Sequence, residues 1–290
     1  MPQAKRMRDF EFETPKSIHG LCEALSTHGD DAKIMAGGTA MMLAMRQRLL
    51  SPARILSIAR IPELQGICKD DAGNLHIGAF TTHSEIAESA LVQSMQPMLA
   101  KMAGGLANWQ VRNQGTLGGN LCYADPSTDP PGCLMALDAK LILQSTSGQR
   151  TLSMQEFCVD YFETAVQPNE VLVSVVIPPL PSGAKCTYVR HLKTPADHRP
   201  MANLSMVSWS NENGFKSFRI VVGSATPFPL RLMDLENDLS AQKTSGVDVA
   251  SLALSQSESL PALSDPRADS AYRKRIIGVL LERHLPEHLV

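Results

Sequence analysis

Two glycine pairs, in "MAGGTAMM" (residues 35–42) and "NQGTLGGNLCYADPSTDP" (residues 113–130), constrain this chain more than any other feature. Glycine lacks a Cβ, so its backbone can take φ > 0 and a bulky group can come close to its N–H. The first pair lies between an apolar strand and a helix. The second stands between a threonine and an asparagine, with an aspartate a short way on. A bulky group is therefore expected to sit against these segments.

The pattern of apolar residues fills in those elements. "TPKSIHGLCEALSTHGDDAKIMAGGTAMMLAMRQRLLSPARILSIARI" predicts a helix over 17–26, a strand over 33–35, the glycine turn, a second helix and a strand over 54–58. Met41, Met42, Met45 and Leu49 recur at helical spacing and read as core packing. A second pattern opens at "NLHIGAFTTHSEIAES", with a strand over 75–77 and a helix capped by Thr82 or Ser84. "MQPMLAKMAGGLAN" continues as helix, "GCLMALDAKLILQS" as helix running into strand, and "EVLVSVVIPPLP" as a strand stopped by prolines. The run over 178–183 marks a boundary between a domain over 1–178, with subdomains of about 1–60 and 61–178, and a second over 183–290. There "KCTYVRHLKT", "MANLSMVSWS" and "FRIVVGSA" predict three antiparallel strands, with "NENG" as the last turn, followed by helices. In the final helix Tyr272, Ile276, Ile277, Leu280 and Leu281 form an apolar face, leaving Arg273, Lys274, Arg275 and Glu282 to solvent.

Composition narrows the function classes. With 290 residues and 43% hydrophobic side chains, the chain can build two cores. Its 27 basic and 29 acidic residues leave a net charge of -2, which offers no field for nucleic acid or an anionic membrane. No apolar run approaches the ~20 residues of a membrane helix, and the N-terminus lacks the apolar core of a signal peptide, which predicts a cytoplasmic location. The six cysteines are scattered without a C-x-x-C pair and read as reduced thiols rather than metal or cluster ligands.

The glycine turns match neither G-x-x-x-x-G-K-[ST] nor G-x-G-x-x-G after a first strand, which disfavours an NTPase or a Rossmann domain. Two turns in one domain could instead clamp a diphosphate, with hydroxyls from Thr39 and Thr116 and the amide of Asn120. A dinucleotide is the natural ligand, although either pair alone is equally well a tight turn with none. Asp129, among prolines, could accept from a ribose hydroxyl or a ring N–H, or simply cap a turn.

Taken together, "AGGTA", "IGAFTTHSEI", "VRNQGTLGGNL", Asp129 and "NEVLVSVVIP" closely resemble the FAD-binding medium subunit of molybdenum hydroxylases, of the carbon monoxide dehydrogenase and xanthine dehydrogenase type. The resemblance covers essentially the whole chain. It implies an α+β fold: a two-subdomain FAD-binding fold of the vanillyl-alcohol-oxidase (PCMH) type, then a C-terminal α+β domain with a three-stranded antiparallel sheet and helices. It implies that Ala36, Gly37, Gly38, Thr39 and Ala40, with Thr116, Leu117, Gly118, Gly119 and Asn120, cradle the diphosphate and adjoining parts of FAD. Asp129 is implied as a further contact, Leu172 as packing on the isoalloxazine, and Lys193 as a charge near the flavin that favours its reduced, anionic form. From the residues alone Lys193 reads as a surface side chain.

Two departures stand out. Ala40 occupies a place where relatives commonly carry serine, aspartate or asparagine, so one polar contact is missing. His198-Arg199-Pro200 replaces a stretch where relatives often have an aspartate near the flavin. His198 has no neighbouring second ligand for a metal. The chain carries no cysteine-rich cluster insertion and no fused iron–sulfur or molybdenum domain. The resemblance therefore implies a large molybdopterin subunit and a small subunit with two [2Fe–2S] clusters, arranged as a dimer of heterotrimers. Electrons would pass from the clusters to FAD and on to an external acceptor, with no catalytic residue and no metal ligand in this chain. Two alternatives stay open. A free-standing flavin-dependent oxidase is disfavoured by few aromatics (5%) and no base beside the flavin motifs. A cofactor-less binding module is the reading toward which Ala40 points.

Overall fold

In the computed structural model, which describes residues 8–194, 197–210, 215–241 and 246–290, three main sheets follow one another along the chain. The first is parallel, in the order Glu11–Glu13, Arg54–Ser57, Ala32–Met35. Parallel neighbours need crossovers, and helices Ile18–His28 and Met41–Arg46 provide them. Ser17 Oγ accepts the Gly20 N–H at 3.1 Å to start the first helix, and Gly29, at φ 53°, ends it. Leu21, Cys22 and Leu25 of this helix pack with Leu56, Ile58 and, from the next sheet, Val171.

The second sheet is antiparallel throughout, in the order Ile67–Lys69, Leu75–Gly78, Val171–Ile177, Lys140–Ser145, Gly148–Ser153. Its core brings Ile77, Leu141 and Val175 together with Leu99 and Met102 of helix Pro97–Gly105 and Leu134 of helix Pro130–Ala136. Helix His83–Glu88 starts at Thr82, whose capping box with Glu85 is complete, while Ser84 donates to the Asn113 side chain. This sorts out which of the two candidate caps is used.

The third sheet, Lys185–His191, Ala202–Ser210, Lys216–Gly223, Leu230–Arg231, has four antiparallel strands rather than three. The fourth is two residues long and follows "TPFP", too short to register as an alternating pattern. The "NENG" turn lies outside the described residues. Strand Ala202–Ser210 is buried on both faces: Leu204 and Met206 join the core of the C-terminal helices, and Val207 joins the core around the second sheet. That is why it reads as a nearly continuous apolar run. Residues 178–183 between the second and third sheets carry no helix or strand.

Two expectations fail. The methionine stripe is not all core: Met45 is buried, but Met42 is 37% exposed and Leu49 is 78% exposed. The helix stops at Arg46 and Arg48 takes φ 62°, so the spacing that placed Leu49 on a helical face does not apply. The faces of helix Ser270–Leu289 are also misassigned: Tyr272, given to the apolar face, is 39% exposed, and Arg273, given to the solvated face, is 0% exposed. Its guanidinium donates to the carbonyls of Met201 (2.6 Å) and Ser224 (2.8 Å) and to Asp265 Oδ2 (2.8 Å). Burial alone would raise the Asp265 carboxyl, but bonds from Arg267 and the charge of Arg273 bring it down to about 2. Arg273→Leu would leave the carbonyls of Met201 and Ser224 unpaired and take one of two guanidinium partners from Asp265, and should cost about 3 kcal/mol of stability. A thermal midpoint equal to that of the parent would show that Arg273 is not a structural pin.

Candidate cofactor site

Strand Ala32–Met35 runs into the first glycine segment and then into helix Met41–Arg46. Gly38 sits at φ 71°, where only glycine is at ease. Gly37 is needed for a different reason: a Cβ there would fall 1.7 Å from the backbone oxygen of Gln114. The first segment thus lies directly on the residues that precede the second. Among the described residues, the N–H groups of Gly37, Gly38, Thr39 and Ala40 have no acceptor. Ala40, at the start of the helix, makes no side-chain capping bond.

The second segment is not a left-handed turn. Thr116 caps a helix, Leu117–Tyr123, that contains Gly118 and Gly119, and neither glycine has positive φ. Close packing accounts for both. A Cβ on Gly118 would lie 2.6 Å from Ala79 Cβ, and one on Gly119 would lie 2.8 Å from Thr116 Oγ1 and 3.3 Å from Ala36 Cβ. The donors here are already engaged, Gly118 N–H with Ala79 O at 2.9 Å and Gly119 N–H with Thr116 Oγ1 at 3.1 Å. Asn120 exchanges a hydrogen bond with the Thr128 hydroxyl at 2.8 Å.

The two segments border a cavity of about 440 Å³, within the usual size range of small-molecule sites. Ala36, Gly37, Gly38, Thr39 and Ala40 line it from one side, and Thr116, Gly118, Gly119 and Asn120 from the other, with Leu172 on the wall. Leu172 stands at an irregularity in the pairing of strand Val171–Ile177, where the register shifts before Ser174. Sequence reading missed His83, Leu106, Tyr123 and Glu170, which also line the cavity. The "TTHSEI" stretch held a signal for His83, but Leu106 looked like an ordinary helix end. Glu170 is locked by Arg150 through two bonds of 2.6 and 2.7 Å, and by accepting the Gln167 N–H at 2.8 Å, which fixes the loop before Leu172. The Arg150 bonds hold the Glu170 carboxyl below its ordinary range.

Three expected residues stand apart from the cavity wall. Leu117 is fully buried in the core behind the glycines. Asp129 is buried against the third sheet, where Asn203 Nδ2 donates to Oδ1 at 3.0 Å and Arg190 lies 3.3 Å from Oδ2. Burial raises its carboxyl, and Arg190 works against that rise. Arg190 also donates to the carbonyls of Gly105 and, at 3.0 Å, of His198, so one guanidinium joins Asp129 to the backbone beside Leu106. Lys193 is exposed, just past strand Lys185–His191. In the His198-Arg199-Pro200 stretch Arg199 pairs with Asp125. Among the described residues no group of three or more His, Cys, Asp or Glu is placed to hold a metal ion, and no helix is long and apolar enough to cross a membrane.

His83 and His288 are both brought down to about 4, chiefly by burial. A histidine whose folded pKa lies below its unfolded value of about 6.5 binds its proton more readily when unfolded, so stability falls as pH drops from about 6.5 toward 4 and is flat above. Urea midpoints should follow that curve. A midpoint unchanged between pH 7 and pH 5 would mean that the rings are charged in the fold.

Residues 8–180 match the family described as the FAD binding domain in molybdopterin dehydrogenase, and residues 188–288 match the CO dehydrogenase flavoprotein C-terminal domain. The chain is 30% identical over 280 residues to the 6-hydroxypseudooxynicotine dehydrogenase complex subunit alpha of Paenarthrobacter nicotinovorans, covering 97% of this chain and 94% of that one. It is 30% identical over 276 residues to the carbon monoxide dehydrogenase medium chain of Hydrogenophaga pseudoflava, covering 95% and 96%. Its structure resembles that of a carbon monoxide dehydrogenase from Hydrogenophaga pseudoflava with a TM-score of 0.91, at 29% identity and with 98% of each chain covered. The glycine cradle and the α+β fold thus come with family matches over both parts of the chain, which belongs to the FAD-binding medium subunits of the molybdenum hydroxylases, oxidoreductases of the carbon monoxide and xanthine dehydrogenase type.

Proposed function

We propose that this chain holds FAD between its two glycine segments and acts as the electron-transfer subunit of a heterotrimeric molybdenum hydroxylase. The carrying observation is the row of unpaired N–H groups at Gly37, Gly38, Thr39 and Ala40, in a cavity bordered by residues packed too closely for side chains. A diphosphate suits such donors, because its oxygens accept several N–H bonds at once. The Thr39 hydroxyl and the Asn120 amide lie on the same lining. Leu106 and Leu172 offer apolar surface suited to a flat ring.

FAD, when bound, would supply the redox chemistry. The chain's own residues hold and orient it. Leu117 supports the cradle from the core, and Asp129 acts through Arg190 on the backbone next to Leu106. Lys193 places a positive charge at the edge of the third sheet, where it would favour a reduced, anionic ring. Relatives described as subunit alpha and medium chain, matched over nearly their whole length, support partner subunits: a large one with molybdopterin and a small one with [2Fe–2S] clusters. A dimer of heterotrimers in the cytoplasm is part of the same reading.

The full chain, isolated with its partners, should carry flavin absorbance and release FAD on denaturation. Flavin in the solitary chain with turnover of a small molecule by oxygen would favour a free-standing oxidase, and a colourless protein in every preparation would favour a binding module. Ala40→Ser adds a hydroxyl where no capping bond exists and should tighten FAD binding by roughly two- to tenfold, measured by flavin fluorescence titration. Weaker binding would place residue 40 away from the ligand's oxygens. Lys193→Met should make the flavin potential more negative while changing FAD affinity less, and an unchanged potential would return Lys193 to the role of a surface side chain.

A further inference from the structure

Two histidines are buried in this chain, and their surroundings differ. His288 uses both ring nitrogens, Nδ1 with Ser208 Oγ at 2.8 Å and Nε2 with Thr187 Oγ1 at 2.9 Å. It is a satisfied core residue. His83 is 2% exposed, lines the cavity, and its Nδ1 is sealed from solvent with no partner among the described residues. Closed to water, Nδ1 is equally out of a ligand's reach, so the ring nitrogen that can meet a ligand in the cavity is Nε2, which has no hydrogen-bond partner among the described residues and is not sealed.

The position of the ring says which part of a ligand it would meet. The His83 N–H donates to Gly115 O at 3.1 Å, which ties its backbone to the entry of the second glycine segment. A Cβ on Gly115 would meet His83 Cδ2 at 3.4 Å and Thr39 Oγ1 at 3.5 Å. The imidazole and the Thr39 hydroxyl therefore both border Gly115, at the junction of the two segments. Burial, aided by the charge of Arg112, keeps the ring neutral at pH 7, so one ring nitrogen carries a proton to donate. The groups around it on the cradle are backbone and hydroxyl donors, which select for an acceptor oxygen on the ligand.

We propose that His83 is a ligand-binding residue whose ring N–H donates to a diphosphate oxygen of the dinucleotide held between the two glycine segments. The assignment rests on the FAD reading above. It makes His83 the side-chain complement to the backbone donors of Gly37 to Ala40, on the side where the second segment's own N–H groups are already engaged.

The test uses the full-length chain with FAD, and with riboflavin, which lacks phosphate. His83→Leu fills the same apolar pocket without a donor, and His83→Gln restores one. We expect His83→Leu to melt at or above the midpoint of the parent in the flavin-free state, to bind FAD about tenfold more weakly, and to bind riboflavin as the parent does. His83→Gln should recover most of the FAD affinity. The phosphorus NMR signals of bound FAD should differ between parent and His83→Leu. In the parent itself, the ring nitrogen signals of His83 should move when FAD is added, a readout that survives if a variant fails to fold. Equal FAD affinity in His83→Leu, a riboflavin loss as large as the FAD loss, or ring nitrogen signals unmoved by FAD would each overturn the assignment. A parent chain that binds no FAD at all would instead remove the reading on which it rests.

Discussion

The architecture of the site depends on the contact between Gly37 and the Gln114 carbonyl. No side chain fits there, since a Cβ would sit 1.7 Å from the oxygen. That contact brings a turn from the parallel sheet onto the segment leading into helix Leu117–Tyr123, beside the packing of the first helix on Val171 that also joins the two sheets. The next contacts continue it: Gly119 meets Ala36, and Gly118 meets Ala79 at the end of the second sheet. A cavity bordered by backbone on two sides results, with close approach set by packing rather than by flexible side chains.

The third sheet closes the arrangement through polar contacts. Asn203, on a strand whose alternate residues Leu204 and Met206 face the C-terminal helices, turns the opposite way to meet Asp129 and Ser224. Arg190, on the neighbouring strand, spans from Asp129 to the carbonyl of Gly105, next to the cavity residue Leu106. A buried carboxylate is tolerable here because a guanidinium and an amide serve it, and removing the guanidinium would leave the charge uncompensated. Arg199 with Asp125, and Arg267 with Ser127, tie the same loop from outside. Arg199, in the His198-Arg199-Pro200 stretch, thus has a visible structural use.

Much of the fold was legible because its signals are local. The period-two and period-3.6 patterns located the main strands and helices, and the Thr82 cap followed from a Thr and a Glu three residues apart. What misled was information that depends on partners far along the chain. Arg273 belongs by spacing to a solvated face, yet two carbonyls and Asp265 make a polar niche for it inside. Leu49 has the right composition for a core, but the helix ends before the pattern does, and Met42, within the helix, lies on its exposed side. In the site, glycines and threonines could be read as a cradle, whereas Leu106 and His83 join it only through folding.

The two glycine pairs look alike as text and differ in physics. In the first, one glycine takes positive φ and the following N–H groups are left without acceptors, so the segment can donate to a ligand. In the second, both glycines are helical and their N–H groups are satisfied within the chain; what they provide is absence of bulk. A cradle built from two donating turns would hold a diphosphate symmetrically. This one is one-sided, with donors along the first segment and a close, already hydrogen-bonded wall along the second. Specific polar contacts on the second side must then come from side chains, and the groups within reach of that junction are the hydroxyl of Thr39 and the unpartnered imidazole of His83.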